Sequence, residues 1–294
     1  MTSKLSAAIR AGIHQLGISQ GNLAENIGVS GNTVTSWVKD RHLPDKESLD
    51  ELRRFFNWPE GKVAELLEDW FENGHGEKNY RIAGHEFVAS KYGCDYEAFL
   101  ADIIELDEAT IAGISFEHEG TAEQWAPIFF HSPYTWRLIV RGDEIVGYWQ
   151  FMCVKDDFYN DILRGSIVDS EILVEMLDFP VVEGRYKAYL PVIAVRAQDR
   201  GATTLGLLLS ALNKTLEDFA KNDILIEDFC ATAFSFEGRR LCELIGMKYM
   251  HRHPRAPAGS LADIFRITGK NVAGSYWGKK SRIIREKYRS CFRN

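Results

Sequence analysis

The chain has 294 residues, of which 45% are hydrophobic and 26% charged, and a formal charge of −7. Its length predicts two domains, and its composition is that of a folded globular protein and excludes a disordered one. No apolar run approaches the roughly 20 residues that span a bilayer, and Met1-Thr2-Ser3-Lys4 lacks a secretory core, so a cytoplasmic, membrane-free protein is expected.

The first seventy residues predict five short helices. Leu5, Ala8, Ile9, Ile13 and Leu16 share one face. Ser19 is placed to cap a second helix carrying Leu23, Ala24 and Ile27, which Gly28 ends. Ser30 caps a third, with Val34, Trp37 and Val38; Leu49, Leu52, Phe55 and Phe56, then Val63, Leu66, Leu67 and Trp70, mark two more. From Ile18 to Trp37, the spacing of Gln20, Leu23-Ala24, Ile27-Gly28-Val29-Ser30 and Trp37 resembles the helix-turn-helix of phage-repressor and Cro-like regulators. That resemblance implies DNA as a partner. Gln20, Lys39 and Arg41 would hold phosphates, and Ser30, Asn32, Thr33, Thr35 and Ser36 would lie at or near the start of the recognition helix. A homodimer on a palindromic site is the matching expectation. Residues 1–44 are mildly basic, with Lys4, Arg10, Lys39 and Arg41 against Glu25 and Asp40.

Residues 71–96 read as a linker, glycine- and charge-rich from Asn73 to Lys78, with a helix that docks on one of the domains between Tyr80 and Tyr92. The stretch 97–268 then mixes strand and helix patterns, an α+β layer domain. A first strand is expected over Ile103 to Leu106, a helix over Ala122 to Phe130, a hairpin from Trp136–Val140 and Ile145–Val154, and a helix over Ile167 to Leu177. Residues 269–294 form a tail with eight basic residues against one acid, Glu286.

An apolar run from Tyr189 to Val195 precedes Gln198-Asp199-Arg200-Gly201-Ala202-Thr203-Thr204, and Leu205, Leu208, Leu209, Leu212, Leu216 and Phe219 follow at helical spacing. A small-residue loop between strand and helix brings unpaired main-chain N–H groups close to an anion. Gln198 and Gly201 match the Gln/Arg-x-x-Gly-x-Gly/Ala loop of the GCN5-related N-acetyltransferase family, and Thr203 departs from it. Gly142 to Tyr148 resembles the family's hairpin, and Ala231 to Met247 its last helix and turn.

This resemblance implies acetyl-CoA as co-substrate, an amine as acceptor, and Ile193, Val195, Gln198, Arg200, Gly201, Ala202, Thr203 and Thr204 as the residues that hold the cofactor. The acceptor stays open between a protein lysine, a small amine and an aminoacyl-tRNA. Cys242 stands where the family often has a tyrosine that protonates the departing thiolate, and Ser235 aligns with a helix-start residue that can contact CoA. Glu117, Asp157, Asp169 and Glu183 are all candidate bases, and the sequence does not rank them. A sensor of acetyl-CoA or another ligand, without turnover, is the alternative function. Five scattered cysteines, Cys94, Cys153, Cys230, Cys242 and Cys291, have no ligand or disulfide spacing, so no metal is expected. His251 and His253 are expected at the surface.

Overall fold

The computed structural model describes residues 3–59, 61–72, 80–111, 120–256 and 261–292. The chain forms two compact units, Met1–Arg81 and Ile82–Asn294.

The first unit contains helices α1 (Lys4–Leu16), α2 (Gln20–Ile27), α3 (Gly31–Val38), α4 (Lys46–Phe55) and α5 (Lys62–Glu72). Local chemistry sets their ends. The Ser19 hydroxyl accepts the Asn22 N–H, the Ser30 hydroxyl accepts the Thr33 N–H, and Gly28 takes the left-handed conformation at φ 74° that turns α2 toward α3. Leu23, Ala24, Ile27, Val34 and Trp37 are buried together with Leu5, Ile9, Leu52, Leu66 and Trp70. Asp69 accepts the Lys4 N–H at 2.7 Å, which ties the start of α1 to α5.

The second unit is built on a seven-stranded sheet in the order β1-β2-β3-β4-β5-β7-β6. Its strands are β1 (Tyr80–Ala83), β2 (Trp136–Arg141), β3 (Glu144–Val154), β4 (Gly184–Val195), β5 (Ile224–Ala233), β6 (Lys248–Arg252) and β7 (Asp263–Thr268). β4 and β5 run parallel, whereas β2–β3, β3–β4, β5–β7 and β6–β7 are antiparallel. A parallel pair needs a crossover, here α10 (Ala202–Lys221). The other helices are α6 (His85–Tyr92), α7 (Tyr96–Thr110), α8 (Ala122–His131), α9 (Asp156–Arg164) and α11 (Phe236–Ile245), then α12 (Gly269–Val272), α13 (Tyr276–Lys280) and α14 (Arg282–Cys291).

β3 is buried along almost its whole length and divides two layers. Tyr148 and Met152 share a core with Phe99, Leu100 and Ile103 of α7 and Phe129 of α8. Strand alternation turns Trp149 and Phe151 to the opposite face, where the Phe151 ring meets Phe219 of α10 and Phe229 of β5.

Several local expectations are corrected. Ile103 to Leu106 lies inside α7: Leu100, Ile103, Leu106 and Asp107 are buried at helical spacing, and the Asp95 carboxylate caps the helix by accepting the Ala98 N–H. A four-residue apolar run does not by itself separate helix from strand. Ile167 to Leu177 forms two short 3₁₀ turns, Asp169–Glu171 and Val174–Met176. Tyr80 to Tyr92 holds β1 and then α6, so the sheet begins within the stretch read as a linker; Asn73 to Lys78 lie outside the described residues. His253 is buried, its Nε2 3.2 Å from the Ile167 carbonyl oxygen, and His251 Nε2 is 3.0 Å from that of Leu163.

The basic end of the chain is a packed element. Trp277, Ile284 and Tyr288 are buried, the Trp277 ring lies 5.2 Å from that of Phe229, and the Tyr288 hydroxyl accepts the Ile226 N–H at 2.8 Å. Lys279, Lys280, Arg282 and Arg289 stay exposed, so one end of an amphipathic helix pair closes the core and the cations remain solvated; Arg293 lies outside the described residues. Trp277→Ala is expected to lower the unfolding free energy by about 3–5 kcal/mol in a urea titration, and a loss below about 1 kcal/mol would show that this end is dispensable to the core.

Candidate functional site: a cleft where two parallel strands part

β4 and β5 pair from Gly184/Ile224 to Leu190/Ala231 and no further, although β4 continues to Val195. Two features of β4 accompany the parting. Pro191 has no N–H to donate to a neighbour, and the register with β3 slips between Gln150 and Met152, the mark of a bulge. Beyond it β4 stays against β3, where a Cβ on Gly147 would stand 2.7 Å from the Ala194 carbonyl oxygen, so that approach requires glycine. The Arg196 N–H donates to Val146 O, so by alternation the main-chain groups of Val195 and Ile193 turn to the edge that has lost β5.

An outer cleft of about 440 Å³ opens on that edge, lined by Ile193, Val195, Arg200, Gly201, Thr204 and Ser235 among others. Gly201 precedes α10 with an extended backbone that any residue adopts, and a Cβ there would meet open space. Glycine at this position therefore leaves room above the loop and relieves no strain. The first-turn amides of α10 have no intrahelical acceptor and no side-chain cap. Arg200 donates to two main-chain oxygens, Val195 O at 3.0 Å and Thr110 O at 2.9 Å, and no carboxylate pairs with its guanidinium among the described residues.

The loop is fastened from its inner side. Asp199, 3% exposed, is paired at 2.5 Å with Arg141, which also binds Glu144 of the β2–β3 hairpin. Buried Thr204 donates its hydroxyl to Asp199 O at 2.7 Å. Thr204 thus shapes the loop and does not present its hydroxyl to the cleft. Gln198, Ala202 and Thr203 are exposed and do not line the cleft wall.

A middle cavity of about 70 Å³ shares Ile193, Ser235, Gly238 and Leu241 with the outer cleft. The Ser235 hydroxyl accepts the Gly238 N–H at 3.0 Å and so caps α11 beside both spaces. Cys242 lines the middle cavity, and burial pushes its thiol up to about 12, with Glu243 adding to the shift.

An inner cavity of about 40 Å³ shares Ile111, Pro191, Val192 and Phe234 with the middle one and reaches Asp107, Tyr148, Gln150 and Asp169. Asp169 is buried and accepts the Tyr189 hydroxyl at 2.7 Å. Burial raises its carboxyl to about 7 against the opposing pull of that hydrogen bond. The Tyr148 hydroxyl donates to the buried carboxylate of Asp107. The four acids are now separated by position: Asp157 and Glu183 are exposed, Glu117 lies outside the described residues, and Asp169 lines the inner cavity. Sequence reading missed Asp107, Tyr148 and Gln150. Gln150 carried a usable signal, as a lone amide inside the apolar run from Tyr148 to Val154.

In the first unit, Ser30, Asn32, Lys39 and Arg41 are exposed, and Gln20, Thr33, Thr35 and Ser36 half-buried. Thr35 donates to Gln20 Oε1 at 3.0 Å, joining α3 to the start of α2, and Ser30 is engaged as a cap. Asn32 and Ser36 have no side-chain bond among the described residues.

No family model and no curated protein sequence matches the chain. Solved structures similar to it include the loading GNATL domain of CurA from Lyngbya majuscula, at 12% identity over 64% of this chain and 97% of that one, with a TM-score of 0.43. Naa50 of Arabidopsis thaliana, solved with a bisubstrate analogue, is similar at 10% identity over 64% and 98%, TM-score 0.40. Ard1 from Thermoplasma volcanium is similar at 11% over 64% and 97%, TM-score 0.38. Among the described residues no cluster of three or more His, Cys, Asp or Glu is placed to hold a metal, and no helix is long and apolar enough to cross a membrane.

Proposed function

We propose that the second unit is an acetyl-CoA-dependent N-acetyltransferase and that the first is a sequence-specific DNA-binding head, acting as a homodimer on a palindromic site. The observation that carries the enzymatic reading is the run of three cavities with common walls, from the loop before α10, through the gap between β4 and β5, to buried Asp169.

The residues fit a nucleotide thioester. The uncapped amides at the start of α10 and the cationic Arg200 suit a pyrophosphate, the open space over Gly201 admits it, and the free edge of Ile193 and Val195 suits an extended amide-bearing arm. Acetyl-CoA would supply an activated acyl group at the inner end. An ammonium must lose a proton before it attacks a thioester, and Asp169, with its carboxyl near 7, is matched to take that proton at neutral pH. Its hydrogen bond to Tyr189 holds the carboxylate in place.

Cys242 is poorly suited to protonate the leaving thiolate. A thiol near 12 donating to one of ordinary acidity, about 8.5, moves the proton uphill. Cys242 is therefore assigned to the wall of the thioester channel, and Ser235 to the helix cap beside it.

Calorimetry with coenzyme A tests the cofactor site. Gly201→Val adds no backbone strain, yet its side chain should occupy the space over the loop and weaken binding by about tenfold or more, roughly 1.4 kcal/mol; an unchanged Kd would remove the loop from the site. Coenzyme A binding without thiol release on any amine would mark the unit as a sensor.

For the wild type, kcat/KM should rise with pH through about 7 and then level, because only the deprotonated carboxylate accepts a proton. Asp169→Asn should remove most of the rate and that limb. The stability effect has the opposite sign: a carboxyl raised from 3.8 to about 7 by burial makes the fold progressively less stable as pH climbs between those values, since the native state holds the proton longer. A variant whose pH profile keeps the limb near 7 would take the base role away from Asp169.

For the head, exposed Asn32 at the capped start of α3, and exposed Lys39 and Arg41 at and past its end, support groove and phosphate contacts. Once selection identifies an operator, Lys39→Ala should weaken all duplexes alike and reduce the salt slope by about one, whereas Asn32→Ala should cost about 1–3 kcal/mol on the operator and little on random duplex. Equal loss on both duplexes with Asn32→Ala would exclude base reading by that residue.

A further inference from the structure

In the acetyltransferase reading, on which this inference rests, Asp169 gains a proton in the inner cavity, whereas the departing sulfur needs one in the middle cavity. Cys242 is too weak an acid to supply it. Two hydroxyls join the two places. The Tyr189 hydroxyl lies 2.7 Å from Asp169 Oδ1 and 3.1 Å from Thr232 Oγ1, and Thr232 lines the middle cavity.

All three groups are fixed by their surroundings. The Gln124 side-chain amide donates to Asp169 O at 2.9 Å and to Ile172 O at 2.8 Å, which holds the turn that carries the carboxylate. Tyr189 stands near the end of the paired stretch of β4 and β5, opposite Cys230. Thr232 is the first residue of β5 past that pairing, and its main chain stays in register with Ile264 of β7. The strands therefore part at the hydroxyl that ends the chain of bonds.

We propose that Tyr189 and Thr232 form a proton relay that carries the amine's proton from Asp169 to the departing sulfur. A hydroxyl donates one hydrogen and accepts another, so each can pass a proton on without becoming charged. Burial, with the charge of Asp169 adding to it, holds the Tyr189 hydroxyl well above its ordinary value and keeps it neutral. The transfer runs downhill, from a carboxyl near 7 to a thiol of ordinary acidity at about 8.5.

The step balances. Asp169 takes one proton from the ammonium, and the neutral nitrogen attacks. As the C–N bond forms and the C–S bond breaks, the Asp169 carboxyl gives that proton to Tyr189, Tyr189 gives its own to Thr232, and Thr232 gives its own to the sulfur. The restored carboxylate takes the second proton that the nitrogen must lose and releases it to solvent with the products. One ammonium and one thioester yield one amide, one thiol and one proton.

The test is single-turnover thiol release by the full-length protein from acetyl-CoA, with 1-aminopropane, 1,3-diaminopropane and a lysine-containing peptide as acceptors. Thr232→Val should slow release by about 100-fold and leave the Kd for coenzyme A unchanged. Thr232→Ser, which restores the hydroxyl, should recover most of the rate. Tyr189→Phe should be at least as slow as Thr232→Val, and combining the two should cost nothing further, because a relay in series breaks only once. In mixtures of light and heavy water the wild-type rate should bow below a straight line, the mark of several protons in flight, and this measurement decides the matter even if the variants misfold. A straight line, a full-rate Thr232→Val, or a Thr232→Ser as slow as Thr232→Val overturns the relay and leaves the acetyltransferase reading standing. Coenzyme A binding without thiol release on any of these amines overturns both.

Discussion

The second unit depends on one withheld interaction, the pairing that β4 and β5 give up beyond Leu190 and Ala231. Main-chain N–H and C=O groups left unpaired inside a sheet are costly unless something else bonds them. Part of the exposed edge is answered internally, by Arg200 on Val195 O. The remainder is the reason the gap suits an extended ligand whose own amides can take the place of a strand. The gap also connects the two faces of the layer: the loop before α10 lies at its outer end and the carboxylates under α7 at its inner end. Had the strands stayed paired for another four residues, those two regions would have been separate surface dents.

The loop keeps its open face because its other face is fully committed. Asp199 sends its carboxylate inward to Arg141, and Thr204 closes the turn by bonding the Asp199 carbonyl, so the chain from 199 to 204 is held by side chains that point away from the cleft. What remains toward the cleft is backbone, the Arg200 side chain and the open space over Gly201. A buried ion pair contributes little net stability, but it is strongly destabilising to break, and here both partners are anchored, Arg141 in a hairpin strand and Asp199 in the loop. Binding energy for an anion then need not be spent on ordering the loop.

Legibility in the sequence followed the range of the interactions. The caps at Ser19 and Ser30, the turn at Gly28 and the β2–β3 hairpin were readable because each is closed within a few residues. The strand, loop and helix around Gly201 were readable for the same reason. Misreadings came where local pattern was ambiguous: the run at Ile103 lies on the buried face of a longer helix, and the apolar residues from Ile167 to Leu177 serve two turns that carry Asp169 under the sheet. The basic end looked like a free tail because its charges are frequent and its anchors few, yet Trp277, Ile284 and Tyr288 suffice to pin it. The inner cavity was illegible because its pairs are distant in sequence, Tyr148 with Asp107 across 41 positions and Tyr189 with Asp169 across 20. Nothing short of the fold ranks Asp169 above the other acids.

Charge is divided along the same channel. At the outer end Arg200 is bonded to neutral oxygens among the described residues and shares the cleft wall with Glu237, while Arg196 and Arg141 spend their charge on Glu144 and Asp199. At the inner end the charged groups are Asp107 and Asp169, and each is bonded by a tyrosine hydroxyl, which stabilises a carboxylate without cancelling its charge. The division also bears on what the buried thiol contributes. Cys242 sits midway, protonated and uncharged, so the middle of the channel adds no field of its own to the two ends.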